Sequence, residues 1–172
     1  MANARSILVS SSEGVAWAKL TGKASFENSS DLKSFFTNMI KCGYYELVLD
    51  LKECPLMDST FMGMLTSIAQ KLVEAGRGNL HIINLNERNM ELLSNLGIDQ
   101  LFAINPNLTD LPALPAHDVE IPLASTEQSK ADYARIMYEA HQALSDISPD
   151  NASKFKDVLE YLRQDIEQDK SL

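Results

Sequence analysis

The sequence predicts an α/β fold: a mixed, largely parallel sheet with alternating helices, followed by a C-terminal helical hairpin. Three observations lead to this prediction. Along residues 6–104, apolar strand-like segments alternate with segments of helical periodicity. Residues 106–124 carry four of the six prolines and are predicted to be a linker. Residues 125–172 contain two further helical segments. Because helices separate most of the strands, right-handed crossovers and a largely parallel sheet are expected in the domain at residues 1–105.

The chain is predicted to begin with a β-hairpin whose strands lie at residues 6–10 and 15–20. A helix follows, since apolar residues recur at three- and four-residue intervals. Asn28 or Ser29 is expected to cap its start, and Gly43 to follow its end. The apolar face of this helix consists of Leu32, Phe35, Phe36, Met39 and Ile40.

The remaining elements of the domain follow in regular alternation. Residues 45–51 are apolar and predict a central strand. Asp58 begins the second helix, and residues 80–85 predict the next strand. A short third helix around residues 90–96 and a short strand at 101–104 complete the order β-β-α-β-α-β-α-β.

The two C-terminal helices each have one apolar stripe. Ser125 and Gln128 fit a capping box for the first helix, and Ser148 followed by Pro149 begins the second. The stripes consist of Tyr133, Ile136, Met137, Ala140 and Leu144, and of Phe155, Val158, Leu159, Leu162 and Ile166. An antiparallel hairpin is expected to dock onto the sheet domain or onto a second copy. A homodimer through residues 125–172 is the favoured alternative.

Charge and composition exclude several function classes. The 15 basic and 24 acidic residues give a net charge of −9, and no basic cluster is present, which argues against nucleic acid and anionic membrane surfaces as partners. No apolar run is long enough to span a bilayer or to act as a secretory signal, so a cytoplasmic location is expected. Cys42 and Cys54 are expected to be unpaired thiols.

No familiar catalytic, metal or cofactor motif is present. The histidines at positions 81, 117 and 141 lack partners at metal-ligand spacing, and no phosphate-binding glycine loop or nucleophile elbow occurs. We therefore predict no enzyme, no metal and no cofactor. An enzyme with an unrecognised site is the alternative from another class.

Asp58-Ser59-Thr60 stands where a strand–loop segment turns into a helix. Capping alone accounts for these residue types, because Asp, Ser and Thr satisfy the free N–H groups of a first helical turn. The wider pattern adds a functional interpretation. Val48-Leu49-Asp50-Leu51, then Met57-Asp58-Ser59-Thr60 and Gly63, resemble the signature of the anti-anti-sigma factor family, the STAS domain. Leu20-Thr21-Gly22 and residues 92–98 support the resemblance, which covers residues 6–105.

This resemblance implies a phosphorylation switch. In the family, a serine directly after the aspartate is phosphorylated by a kinase that also acts as an anti-sigma factor, and a serine phosphatase reverses the modification. By position the phosphoacceptor is Ser59, with Thr60 as the weaker candidate. The implied partners are therefore that kinase and that phosphatase. The implied partner-binding residues are Met57, Asp58, Phe61, Met62 and Ser25.

Two positions depart from the family pattern. Phe61 stands where the family has glycine, and we predict that its ring belongs to the partner surface; the alternative is a place in the core. Ser25 stands where many members carry an acid. A relative that acts without phosphorylation, as a scaffold or a transporter-associated subunit, is therefore the alternative function.

Overall fold

The computed structural model describes residues 6–106, 109, 111, 119–121 and 128–171. The predicted order of strands and helices in the first domain is confirmed. The elements are β1 (Ser6–Ser12), β2 (Val15–Thr21), α1 (Phe26–Lys41), β3 (Glu46–Glu53), α2 (Ser59–Ala75), β4 (Asn79–Ile83), α3 (Glu87–Asn95), a 3₁₀ turn (Asp99–Leu101), β5 (Ala103–Ile104), β6 (Val119–Ile121), α4 (Lys130–Ser145) and α5 (Pro149–Lys170).

The strands form one mixed sheet in the order β5-β4-β3-β2-β1-β6. The pairs β2–β3, β3–β4 and β4–β5 are parallel, whereas β1 pairs antiparallel with both β2 and β6. The predicted α/β class and the central position of β3 are therefore confirmed. Strand β6 was not predicted: it lies within the proline-bearing segment at 106–124 and adds an edge to the sheet. The division of the chain into domain, linker and hairpin stays a prediction.

Strand ends in the first domain shift by one or two residues, and two boundaries differ from the sequence prediction for a clear local reason. Helix α1 is capped by Ser25 rather than by Asn28 or Ser29, because the chain is still extended at Ser25 and turns directly after it. Asn28 instead closes the capping box, its side chain accepting the Ser25 N–H at 3.0 Å. The last predicted strand is shortened to Ala103–Ile104, since Asp99–Leu101 form the 3₁₀ turn. Gly43 has the predicted left-handed conformation, with φ of 91°.

The main core lies between one face of the sheet and the helices. Alternate residues of β2 enter this core, namely Ala16, Ala18 and Leu20. The residues between them face the other side, where Val15 and Trp17 pack in a smaller cluster. No helix in the described part of the chain is long and apolar enough to cross a membrane.

The C-terminal helices form the predicted antiparallel pair, and α4 packs against α2 and α1 of the same chain. Leu144 and Phe155 join the main core. The apolar stripe of α4 thus docks onto the same chain, with Ala140 and Leu144 buried and its other members part-buried, and the homodimer stays a prediction. The predicted cap of α4 is wrong: the helix begins at Lys130, with Ser129 and Asp132 as its capping box, and Ser125 lies outside the described residues. Ser148 caps α5, as predicted.

Candidate functional site

Asp58 joins the starts of two helices. One oxygen of its carboxylate, Oδ1, accepts the Phe61 N–H at 2.8 Å and thereby caps α2. The other oxygen, Oδ2, accepts the Phe26 N–H at 3.1 Å, at the first residue of α1. The Asp58 N–H itself donates to the Ala24 carbonyl at 2.9 Å. The predicted capping role is confirmed, and the structure adds a second helix to it.

The loop before Asp58 is held from its other side by α3. The Met57 N–H donates to Asn89 Oδ1 at 3.1 Å, and Asn89 Nδ2 donates to the Cys54 carbonyl at 3.2 Å. Asn86 Nδ2 bonds the same carbonyl at 3.3 Å. Asn89 is completely buried, so its two bonds are made away from water, whereas Asn86 is exposed. The loop therefore fixes the position of the first turn of α2.

Ser59 is the first residue of α2 and is half-buried. Its Oγ lies 2.9 Å from Nε2 of His141 on α4, and Nδ1 of His141 lies 2.6 Å from the Met137 carbonyl. A carbonyl only accepts, so Nδ1 carries a proton, and in the neutral imidazole Nε2 is the acceptor. The Ser59 hydroxyl therefore donates to His141. The imidazole is further held by an edge contact with Phe155, at 5.3 Å between ring centroids.

One turn farther along α2, the backbone of α4 approaches closely. A Cβ atom at Gly63 would lie 2.2 Å from the Ala140 carbonyl oxygen, so a larger residue there forces the helices apart. The close backbone approach at Gly63 and the hydrogen bond of Ser59 together hold α4 against the start of α2. The sequence resemblance singled out both residues, but it did not show that another helix of the same chain lies on them.

The structure corrects the predicted partner surface. Phe61 is 0 % exposed and belongs to the main core, so the prediction that its ring faces a partner is wrong. Phe61 is the third residue of α2, and its side chain points into the core rather than toward the surface. Met57, Met62 and Ser25 are also buried, and none of them presents its side chain to a partner in this structure.

Of the predicted phosphoacceptors, Thr60 is buried and Ser59 is half-exposed. Asp58 is half-exposed as well, so Asp58 and Ser59 are the two predicted site residues with accessible surface. We call Asp58, Ser59 and Thr60 the switch site.

His141 is the site residue that sequence reasoning missed. It lies four residues after Met137 and three before Leu144, and is therefore a polar residue within the apolar stripe of α4. A buried polar side chain needs a hydrogen-bond partner. A histidine within an apolar stripe was therefore a signal, in the sequence, of a contact with another element. Nothing in the sequence named Ser59 as that partner. Within the described ranges, no group of three or more His, Cys, Asp or Glu side chains could hold a metal ion.

A comparison with protein families decides the relationship. The family model described as the STAS domain matches residues 6–111, more than half of the chain. The chain belongs to the STAS domain family. The match ends before α4, so both helices of the hairpin lie outside it. None of the curated proteins compared with the chain matches it significantly.

Two solved structures share the STAS fold with this chain. One is a candidate anti-sigma factor antagonist from Thermotoga maritima, with 19% identity and a TM-score of 0.54, matched over 59% of this chain and 87% of that one. The other is an anti-sigma factor antagonist from Mycobacterium paratuberculosis, with 19% identity and a TM-score of 0.52, matched over 62% of this chain and 90% of that one. These similarities extend the family assignment to the three-dimensional fold.

Proposed function

We propose that this STAS protein is an anti-sigma factor antagonist that acts by partner switching. Unmodified, it binds a serine kinase that doubles as an anti-sigma factor; phosphorylated on Ser59, it releases that kinase. Transcription is then regulated indirectly, through the sigma factor that the kinase sets free or sequesters. The observation that carries the proposal is the position of Ser59, directly after the helix-capping Asp58 at a rigidly held helix start.

The local chemistry suits a binary switch. The kinase transfers the γ-phosphoryl group of ATP to Ser59 Oγ: the O–P bond forms, ADP leaves, and the hydroxyl proton goes to the kinase's base. The modification adds about −1.5 to −2 charges beside the Asp58 carboxylate. The N-terminus of α2 tolerates this charge locally, whereas a partner interface that buries it is weakened by repulsion and desolvation.

The helix cap does not depend on the modified residue. Asp58, not Ser59, accepts the Phe61 N–H, so phosphorylation leaves the first turn of α2 intact. Thr60 is 5 % exposed and much less accessible to a kinase than Ser59. Both observations favour Ser59 as the phosphoacceptor and argue that the signal is a change of surface charge, not of fold.

One observation favours an enzyme as the second candidate. A serine hydroxyl that donates to a histidine, itself oriented by a third group, is also the arrangement of a nucleophile and its base. The nearby crevice between α1, α2 and α4 is lined by Met64, Ser67 and Ala140, among others, and by neither Ser59 nor His141. A fluorophosphonate probe distinguishes the two functions, since a hydrolase would form a covalent adduct at Ser59.

The phosphorylation proposal is tested in the cells from which the gene comes. Wild type, Ser59→Ala and Ser67→Ala are expressed there and analysed by intact and tandem mass spectrometry, with and without phosphatase. Ser67 is a matched control, because it is a part-buried serine on the same helix whose Oγ bonds the Gly63 carbonyl at 3.1 Å.

We expect one phosphate, located on Ser59, in wild type and in Ser67→Ala, and none in Ser59→Ala. A phosphate that persists in Ser59→Ala assigns the modification elsewhere. Complete absence of phosphate under all conditions would favour the scaffold or transporter-associated alternative.

A further inference from the structure

We propose that the α4–α5 hairpin is an autoinhibitory cover of the switch site, which must lift before Ser59 can meet a kinase or a partner. This inference rests on the proposed function and adds a regulatory step to it. The hairpin lies outside the residues that match the STAS domain, yet it occupies the surface on which the proposed switch depends.

The first argument is steric. In the closed chain, Nε2 of His141 lies 2.9 Å from Ser59 Oγ. A phosphate donor must approach that oxygen to about 3–3.5 Å along a defined line, and a helix packed on the serine occupies part of this space. The close approach of Ala140 to Gly63 leaves α4 no room to move inward.

The second argument is chemical. The Ser59 hydroxyl donates its proton to His141, because the Met137 carbonyl keeps the other imidazole nitrogen protonated. Phosphoserine has no proton on Oγ and presents only acceptor oxygens. The modified chain therefore lacks the O–H···N bond that Ser59 makes with His141 in this structure. This hydroxyl bond thus belongs to the closed, unmodified chain.

The third argument is the uneven attachment of the hairpin. At its turn the hold is firm: Asn151 is 2 % exposed, and its Nδ2 donates to the Leu96 and Leu144 carbonyls at 2.9 and 3.0 Å. Toward α1, helix α4 makes the edge contact of Tyr133 with Phe26 and one surface ion pair. The Lys33–Glu139 ion pair is solvent-exposed, and such pairs contribute little.

A crevice of about 120 Å³ also separates α4 from α1. Its lining combines polar side chains with the apolar side chains of Met64, Ile136 and Ala140. The lining residues from α1 are Ser29, Ser30, Lys33 and Ser34. The firm attachment at the turn makes the far end of α4, near α1, the part expected to lift.

The test measures access to position 59 in the full chain. Ser59→Cys is introduced together with Cys42→Ser, which removes the exposed native thiol. A thiol is a weak donor, so the assay tests the packing of α4 over position 59 rather than the hydrogen bond of Ser59. The rate of labelling by N-ethylmaleimide is followed by mass spectrometry. Buried Cys54 serves as an internal reference, because it is labelled only when the domain itself unfolds.

Adding Gly63→Ala forces α4 off α2, although alanine is the better helix former. We expect the labelling rate at position 59 to rise about tenfold or more, with Cys54 still unlabelled. A tenfold rise corresponds to a loss of ~1.4 kcal/mol of docking free energy. Val73→Ala is the matched control, since Val73 is an exposed residue of the same helix, and we expect it to leave the rate unchanged.

Two outcomes overturn the proposal. An unchanged rate at position 59 in Gly63→Ala shows that the hairpin does not limit access. A rate that rises only together with labelling of Cys54 shows that α4 is an integral part of the domain. Should Gly63→Ala fail to fold, Tyr133→Ala replaces it, because the Tyr133 ring packs edge-on against Phe26 of α1, at 5.4 Å between ring centroids. The assay uses no kinase, so its result is independent of whether Ser59 is phosphorylated in cells.

Discussion

Truncating Phe61 tests the corrected position of this residue in the core. The side chain is 0 % exposed and lies in the main hydrophobic cluster, so Phe61→Ala removes a ring that water does not reach. A substitution of this kind costs about 3–5 kcal/mol of unfolding free energy, out of a total of ~5–15 kcal/mol for a typical domain. At ~2–4 °C per kcal/mol for a chain of this size, the melting temperature should fall by roughly 6–20 °C.

Urea denaturation measures this loss directly. Trp17 is the only tryptophan and is buried, so its fluorescence reports unfolding of the sheet domain. Two further variants serve as references. Phe61→Leu retains most of the volume and should cost much less than Phe61→Ala. Tyr161→Ala removes a ring that is 61 % exposed and should change stability little. A loss of less than about 1 kcal/mol of unfolding free energy in Phe61→Ala would show that Phe61 lies at the surface and refute the core assignment.

Three further predictions concern the helix start, a buried thiol and the hairpin turn. Asp58→Ala should lower the unfolding free energy, measured by urea denaturation, by about 2–3 kcal/mol. The reason is that one N–H at the start of α1 and one at the start of α2 lose their acceptor. A loss below ~0.5 kcal/mol would contradict the bridging role of Asp58. Burial raises the pKa of the Cys54 thiol. As the pH rises, the unfolded chain therefore releases that proton before the folded chain does. The unfolding free energy should decline above pH ~8.5, and should decline less in Cys54→Ala. Parallel pH profiles of the two proteins would contradict this. Asn151→Ala should cost about 1–3 kcal/mol, because the Leu96 carbonyl loses the Asn151 donor and the Leu144 carbonyl keeps the Ile147 N–H at 3.2 Å. Hydrogen exchange should then show α4 opening more readily, and unchanged exchange would contradict the anchor.

The locally determined features of the fold could be predicted from the sequence. Asp58 is a preferred capping residue directly before an apolar helical pattern, and the structure places it as the cap of α2. Ser148-Pro149 is a similarly complete signal, and α5 begins there. The parallel arrangement of β2, β3 and β4 followed from the helices that separate most of the strands. The two helix starts depend on residues close together in the sequence, and the parallel order depends on the helices between successive strands.

The features that were missed depend on distant contacts. Whether Phe61 faces the core or a partner is decided by what lies beneath α2, which a local pattern does not contain. The contact of Ser59 with His141 joins residues 82 positions apart. The choice between Ser125 and Ser129 as the cap of α4 was ambiguous locally, because both are followed by a suitable polar residue three positions later. Strand β6 has only three residues, too few for a pattern of alternation.

The measurement that tests the central claim most directly is the affinity of the full chain for the anti-sigma kinase of its own cells. Isothermal titration would compare the unmodified protein with protein phosphorylated on Ser59 to completion, as checked by mass spectrometry. A switch based on charge at the start of α2 predicts that the unmodified chain binds and that phosphorylation weakens binding by about tenfold or more, or ~1.4 kcal/mol. Equal affinity of the two forms, or binding by neither, would contradict the proposed function.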